Sequence, residues 1–229
     1  ILTQRLRDIQ SVGSVTRIDY PQHTFRATAE TGIHSNAVPD VLPLATQSSN
    51  LITSMFGLHW SNDLLGSFFQ ILHALKPDGL LMAALPGSDT LRELRESLVE
   101  AESQSVGGAS MRVDAFGEVR QIGNLLQRAG FALPVVDTET HIARYPGVME
   151  LVRDLRAMSA SNVQSRSPKP ISREMLSLTE KIYRSRFADD DGKIRATFEI
   201  IYLSGWAPHA SQQKPLEPGA AKHKLSDFL

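Results

Sequence analysis

The sequence predicts an α/β fold built around a mainly parallel sheet, and three observations lead to this prediction. The chain of 229 residues is 41% hydrophobic, which is enough for one sizeable core. Residues 51–56 and 80–85 are apolar runs of strand length, with a helical repeat and a Lys-Pro-Asp-Gly turn between them. Strand, helix, turn and buried strand make a βαβ unit. Strands and helices continue to alternate afterwards, which predicts helices on both faces of the sheet.

The remaining elements follow from the same periodicities. Further strands are expected at 14–19, 135–142 and 197–206, with a short extended piece at 37–44. Helices are expected at 1–9, weakly through residue 29, between Trp60 and Pro77, and at 88–101, 114–129, 149–158 and 174–187. Ser61, Asn62 and Asp63 are all able to cap the helix after Trp60. Thr90 and Glu93 have the spacing of a capping box for the next helix.

Composition and charge argue against several classes of protein. With 24 basic and 25 acidic residues, the net charge of −1 creates no field that attracts nucleic acid, so no nucleic-acid partner is expected. The absence of cysteine excludes disulfides and thiolate chemistry and suits a reducing compartment. No apolar run approaches the roughly 20 residues that cross a bilayer. The histidines show no paired metal-ligand spacing, so no metal site is expected.

The candidate ligand site follows from the predicted topology, because ligands of open α/β sheets bind beyond the carboxyl ends of the strands. This rule selects Asp19 with Tyr20, the segment 37–40 and the segment 55–60. Asp19 could accept hydrogen bonds from both hydroxyls of a ribose or cap the next helix, and spacing alone leaves both readings open. Tyr20 could lie along an adenine or simply pack against the protein.

His59 and Trp60 come directly after the strand at 51–56, where the chain opens into the expected cleft. A neutral imidazole in this place could orient or deprotonate an acceptor group, which makes His59 the candidate catalytic residue. The alternative is a histidine that only hydrogen-bonds a backbone carbonyl. Trp60 could contact a substrate or form a lid over the core.

Longer stretches of the chain resemble a known superfamily. The chain resembles the class I S-adenosylmethionine-dependent methyltransferases in LPLATQSSNLITSMFGLHWSNDL and ILHALKPDGLLMAAL. It resembles one branch of them further in PGSDTLRELRESLVEAE, LLQRAGF, RYPGVMELVRDLRAMSASN and ATFEIIYLSGW. That branch contains the biotin-pathway malonyl-carrier-protein methyltransferases and, more similar still, mitochondrial complex I assembly factors with arginine hydroxylase activity and their bacterial relatives. The resemblance runs from Ile1 to Trp206 and implies a Rossmann-like, mostly parallel sheet of seven strands.

The resemblance also implies a cofactor, S-adenosyl-L-methionine, and the residues that bind it. Asp19 matches the family's acid that holds the cofactor ribose, and Asp40 is the candidate on the adenine side, with Tyr20 beside the same ligand. The family strand that lines the methionine moiety ends here at Met55, Phe56, Gly57 and Leu58. The candidate substrate-binding residues are Trp60, Arg144 and Tyr145, of which Arg144 suits an anionic substrate.

Organisation and function follow from the same resemblance. The family's first strand and glycine-rich loop would lie immediately before Ile1, so further residues are expected upstream. Residues 1–207 are expected to form one domain with an inserted helical cap at 144–190, followed by a polar tail at 208–229. The implied function is methyl transfer to a small molecule or to a carrier-bound or protein acceptor. The open alternatives are an arginine hydroxylase or assembly chaperone, and a binding module without activity. The compartment would be the cytoplasm in a bacterium or the mitochondrial matrix in a eukaryote.

Overall fold

A computed structural model of the chain describes residues 2–9, 12–19, 33–36, 40–108, 110–158, 160 and 171–213. The helices in this part of the chain are α1 (Leu2–Arg7), α2 (Leu64–Ala74), α3 (Arg92–Val106), α4 (Val119–Ala129), α5 (Val148–Ala157) and α6 (Arg173–Phe187). The strands are β1 (Thr16–Asp19), β2 (Ile33–Asn36), β3 (Ser49–Met55), β4 (Leu75–Pro86), β5 (Ala132–Tyr145) and β6 (Ile194–Trp206). A 3-10 turn, Leu58–Trp60, follows β3. All five predicted strands are therefore confirmed.

The strands form two sheets. β1 and β2 pair in parallel, and the second sheet has the order β3-β4-β6-β5. β3 and β4 are parallel, whereas β6 runs antiparallel to both β4 and β5. The α/β class is confirmed. The expected seven-stranded, mostly parallel sheet is not, because two of the four pairings among the described strands are antiparallel. β2 was not predicted, and the weak helix expected before residue 29 lies outside the described residues.

The antiparallel direction of β6 follows from the connection that precedes it. β5 ends at Tyr145, which pairs with Ile194 at the start of β6. Helices α5 and α6 lie between these two residues in the chain, so the chain re-enters the sheet at the end where it left. A strand that begins beside the end of its neighbour must run in the opposite direction. The alternation of elements that predicted a parallel strand here carries no information on where the helical connection returns.

Two hydrophobic cores lie in the described part of the chain. In the first, Phe68 and Leu126 from α2 and α4 pack against the sheet side chains Leu81, Ile201 and Leu203. The second core joins α3, α5 and α6 to β6, and its buried members include Leu98, Leu151, Tyr183, Ile194 and Ala196. The predicted helices 149–158 and 174–187 are α5 and α6 of this second core. The division into a domain, a cap and a tail stays a prediction.

Two local predictions about helix starts are wrong, and long-range contacts explain both. The capping box of Thr90 and Glu93 does not form: Thr90 Oγ1 donates to the carbonyl of Glu199 at 2.8 Å, and the carboxylate of Glu93 accepts from Thr197 N at 3.0 Å. Both side chains that the capping box needs are therefore bound to β6.

The helix expected from residue 114 begins only at Val119. The residues before it are extended, and Gly117 forms a parallel bridge with Gly87. By contrast, Asp63 caps α2 as predicted, accepting from Gly66 N at 2.8 Å.

None of the described helices combines the length and the hydrophobicity that crossing a bilayer would require.

Candidate functional site

A cavity of about 680 Å³ opens where three strands end. Its lining includes Ile18 next to the end of β1, Met55 at the end of β3 and Pro86 at the end of β4. Gly57, Leu58, His59 and Trp60 also line it. The volume lies within the range of about 300–1,000 Å³ that is typical of small-molecule sites. The structure thus brings the strand-end segment 55–60 to a cavity at the carboxyl edge of the sheet, where the topology predicted a ligand site.

The backbone at the end of β3 turns sharply into this cavity. Phe56 has φ of 53°, a left-handed conformation that costs a residue with a Cβ atom roughly 1–2 kcal/mol. Its N–H donates to the carbonyl of Ala84 at 2.9 Å, which anchors the turn to β4. Strain of this kind is found where a backbone lines a binding site. The turn leaves Met55 and Phe56 largely exposed at 58% and 41%, and it buries Leu58 below them.

Aromatic side chains surround the candidate catalytic residue. The ring centroids of His59 and Trp60 are 4.4 Å apart, and Phe116 meets the His59 ring edge-on at 6.2 Å. Leu155 and Met158, from α5 and the residue after it, line the same cavity. An imidazole between aromatic rings is held in one orientation and is partly screened from water, which suits contact with a bound acceptor.

Phe116 is a cavity residue that sequence reasoning missed. It lies in the segment predicted as the first turn of a helix, where an aromatic residue does not indicate a ligand site. The backbone bridge between Gly87 and Gly117 holds this segment beside the end of β4 and brings Phe116 to the cavity. Since this contact joins residues 30 positions apart, no local pattern signals it.

The carboxylate of Asp40 is bound to the segment that starts α2. Its Oδ1 accepts from Ser61 Oγ at 2.8 Å, from Asn62 N at 2.7 Å and from Asp63 N at 3.1 Å. These hydrogen bonds, the one from Ser61 first, hold the pKa of Asp40 below its ordinary value. Asp40 is not among the residues found to line the cavity. The described contacts of Asp40 are therefore structural, and its contact with adenine stays a prediction.

The variant Asp40→Ala is expected to speed hydrogen exchange at the amides of Asn62 and Asp63, because both lose their acceptor. Site-resolved exchange by NMR measures this effect. Asp63→Ala is the matched control, since it removes the acceptor of the Gly66 amide and leaves the Asp40 contacts in place. Unchanged protection of Asn62 and Asp63 in Asp40→Ala would contradict the anchoring role.

Arg144 and Tyr145 are not brought to the cavity. The Nε of Arg144 donates to Asp189 at 2.7 Å, and its Nη2 pairs with Asp191. These ion pairs fasten the end of β5 to the turn before β6. Tyr145 packs beside the second core, and burial together with the charge of Asp154 raises its pKa. Binding of a substrate by Arg144 and Tyr145 stays a prediction that no described contact supports.

The candidate for the ribose, Asp19, and the aromatic candidate beside it, Tyr20, are only partly described. Asp19 is the last residue of β1 and pairs with Asn36 of β2, so the predicted strand end is where the sequence indicates. Tyr20 lies outside the described residues.

Comparisons with known proteins identify relatives along most of the chain. No family model matches it. The mouse protein Arginine-hydroxylase NDUFAF5, mitochondrial, is 38% identical over 93% of this chain and 63% of its own length. Its namesake from Dictyostelium discoideum is 41% identical over 86% of this chain and 46% of its own length. A Malonyl-[acyl-carrier protein] O-methyltransferase from Methylovorus sp. (strain MP688) is 37% identical over 76% of this chain and 56% of its own length. The chain thus spans between 46% and 63% of these three relatives.

The βαβ unit and the cavity at the strand ends define a Rossmann-like α/β protein. Within that class, the comparisons confirm the resemblance that the motifs predict. The chain is similar over most of its length to mitochondrial arginine hydroxylases and to malonyl-carrier-protein O-methyltransferases, and this similarity supports the predicted branch of the class I methyltransferase superfamily.

Proposed function

We propose that the protein is an S-adenosyl-L-methionine-dependent methyltransferase. The observation that carries this proposal is the cavity at the ends of β1, β3 and β4 in a chain homologous to methyltransferases. The cavity suits the cofactor in two respects: its volume is that of a small-molecule site, and it is lined at the end of β3 by the segment Met55 to Leu58, whose backbone turns through a left-handed conformation at Phe56. When bound, the cofactor would supply a methyl group activated by a positively charged sulfur.

The residues of the chain would position the acceptor and exclude water. Trp60, Phe116 and Leu155 form apolar walls, and holding an acceptor between them supplies most of the rate effect that such a reaction needs. His59 would take the proton from an acceptor hydroxyl or amine, or orient a carboxylate, which needs no base. The acceptor class we propose is a small molecule or a group presented by a carrier protein or protein subunit.

Calorimetry with S-adenosylmethionine on the full-length protein tests cofactor binding directly. Asp19→Ala is expected to weaken binding by about 1–3 kcal/mol, because the ribose hydroxyls lose a charged acceptor. Asp137→Ala is the control, since Asp137 is exposed on the edge strand β5 and should leave affinity unchanged. Equal affinity of the Asp19 variant and the parent protein would remove Asp19 from the site. No binding by the parent protein would favour a module that has lost the cofactor.

A second candidate function is hydroxylation of a protein arginine in the assembly of a respiratory complex. It is favoured by the extent of similarity, since the mouse hydroxylase aligns with 93% of this chain and the Methylovorus methyltransferase with 76%. Mass spectrometry of candidate acceptors distinguishes the two reactions, because one adds a methyl group and the other adds an oxygen atom. The cytoplasm of a bacterium or the mitochondrial matrix are the compartments that we propose for either function.

A further inference from the structure

Arg95, on the first turns of α3, makes an unusual set of contacts for a cation. The guanidinium is partly buried, and its described hydrogen bonds all go to backbone carbonyls. Nη1 and Nη2 each donate to Ser88 O at 3.2 Å, and Nη2 also donates to Thr90 O at 3.0 Å and to Asp114 O at 3.5 Å. A charged donor that binds carbonyls fixes the backbone rather than another side chain.

These carbonyls belong to two segments that both contribute residues to the cavity wall. Ser88 and Thr90 lie in the loop after β4, in which Thr90 and Leu91 line the cavity together with Pro86, the last residue of β4. Asp114 lies two residues before Phe116, the ring that meets the His59 imidazole. Arg95 does not line the cavity itself. One side chain outside the cavity therefore links the strand-end loop to the segment that carries Phe116.

We propose that Arg95 is a positioning residue that sets Phe116 against the His59 ring and so fixes the acceptor side of the cavity. The inference rests on the proposed function, because it assigns a role within the same site. An arginine is needed because its planar group directs several donors at once, whereas the ammonium of lysine is a point donor on a flexible stem. The beginning of the loop that carries Phe116 is held separately, because Ser110 and Arg112 bind the carboxylate of Glu102. Gly117 stays bridged to Gly87, so loss of Arg95 should shift residues 114–116 without unfolding the loop.

NMR of the full chain with isotope-labelled histidine tests this role without cofactor or substrate. The His59 signal is assigned by its loss in His59→Gln. Because aromatic rings shift the resonances of nearby protons, Phe116→Leu reports how far the His59 signal moves when the Phe116 ring is absent. Arg95→Met keeps the apolar stem and removes all donors, and it is expected to move the His59 signal in the same direction as Phe116→Leu. Arg95→Lys should move it as well, because charge without the planar group cannot bridge both segments.

Arg92→Met is the matched control, since Arg92 lies on the same helix, is half exposed and pairs with Asp89. It should leave the His59 signal at the parent position. The proposal is overturned if both Arg95 variants keep the parent His59 signal while Phe116→Leu moves it, even where their melting temperatures fall. Restoration of the parent signal by Arg95→Lys would also overturn it, since charge alone would then suffice. A protein that shows the expected shifts and yet binds no S-adenosylmethionine would refute the proposed function and leave this inference standing.

Discussion

The variant Phe68→Ala is expected to lower the free energy of unfolding by about 3–5 kcal/mol, the usual cost of removing a large buried aromatic side chain. Phe68 is fully buried, with 0% of its surface exposed, between α2 and the sheet. Its ring meets Phe131 edge-on, with centroids 6.3 Å apart and planes at 82°, a geometry that adds to the simple gain from burial. Truncation leaves a cavity bounded by sheet and helix backbones, which cannot close without moving α2.

The neighbouring residue supplies the control. Phe69 has the same side chain on the same helix, but 43% of its surface is exposed. Phe69→Ala should therefore cost about 1 kcal/mol or less, since part of its apolar area already faces water. Denaturant titration of both variants measures the two free energies. Equal losses would contradict the position of α2 on the sheet, because they would mean that the two rings are buried alike.

The variant Arg112→Met is expected to cost about 3–5 kcal/mol, because it leaves the carboxylate of Glu102 buried without its partner. Arg112 Nη2 and Glu102 Oε1 are 2.7 Å apart, and the two side chains are only 8% and 10% exposed. Ser110 adds bonds to the same carboxylate through its N–H and its hydroxyl, both at 2.8 Å. The hydrogen bond from Arg112 is the main cause that lowers the pKa of Glu102 to about 2.

The pH dependence of stability gives an independent measurement of this pair. Because the folded-state pKa of Glu102 is depressed from 4.5 to about 2, its contribution is fully present above pH 4.5 and is lost as the pH falls towards 2. In Arg112→Met the depression should shrink, so stability should fall less steeply over that range. Denaturant titrations at several values between about pH 6 and about pH 3, on both sides of the ordinary carboxyl pKa, measure how steeply the stability of the parent protein and of Arg112→Met depends on pH.

A double variant, Glu102→Leu with Arg112→Met, tests the cause of the loss. It removes both charges, so it should be more stable than Arg112→Met alone, although the donors of Ser110 then lose their acceptor. A double variant that is less stable than the single one would show that packing by the arginine stem, and not the stranded carboxylate, carries the loss.

The predicted parts of the fold are those with a local cause. The helix after Trp60 begins at a capping carboxylate, Asp63, and ends at Ala74, three residues before Pro77, so both signals lie in or close to the helix. The strand at 80–85 is an uninterrupted apolar run, and its buried residues Leu81, Ala83 and Leu85 face the first core. In both cases the residues that decide the structure are neighbours in the chain.

The residues of the candidate site also divide into those whose position has a local cause and those whose position depends on distant partners. The segment 55–60 could be predicted, because the carboxyl end of a strand in a βαβ unit is a place defined by topology. Asp40, Arg144 and Phe116 could not be placed, because their positions depend on partners far away in sequence. Asp40 and Arg144 carry the residue types of a ligand site, yet the start of α2 and the carboxylates before β6 occupy their charged groups.

By itself, the sequence determined the class of fold, the βαβ unit, the resemblance to a superfamily and the five strands 14–19, 51–56, 80–85, 135–142 and 197–206. Periodicity and caps act over a few residues, and motifs are shared among relatives. Only the tertiary structure decided the antiparallel direction of β6, the pairing of β2, the helix start at Val119 and the ring of Phe116 at His59. These features depend on which backbone groups meet after the chain has folded back on itself. A hydrogen bond or an ion pair formed there outweighs the local preference of any single residue.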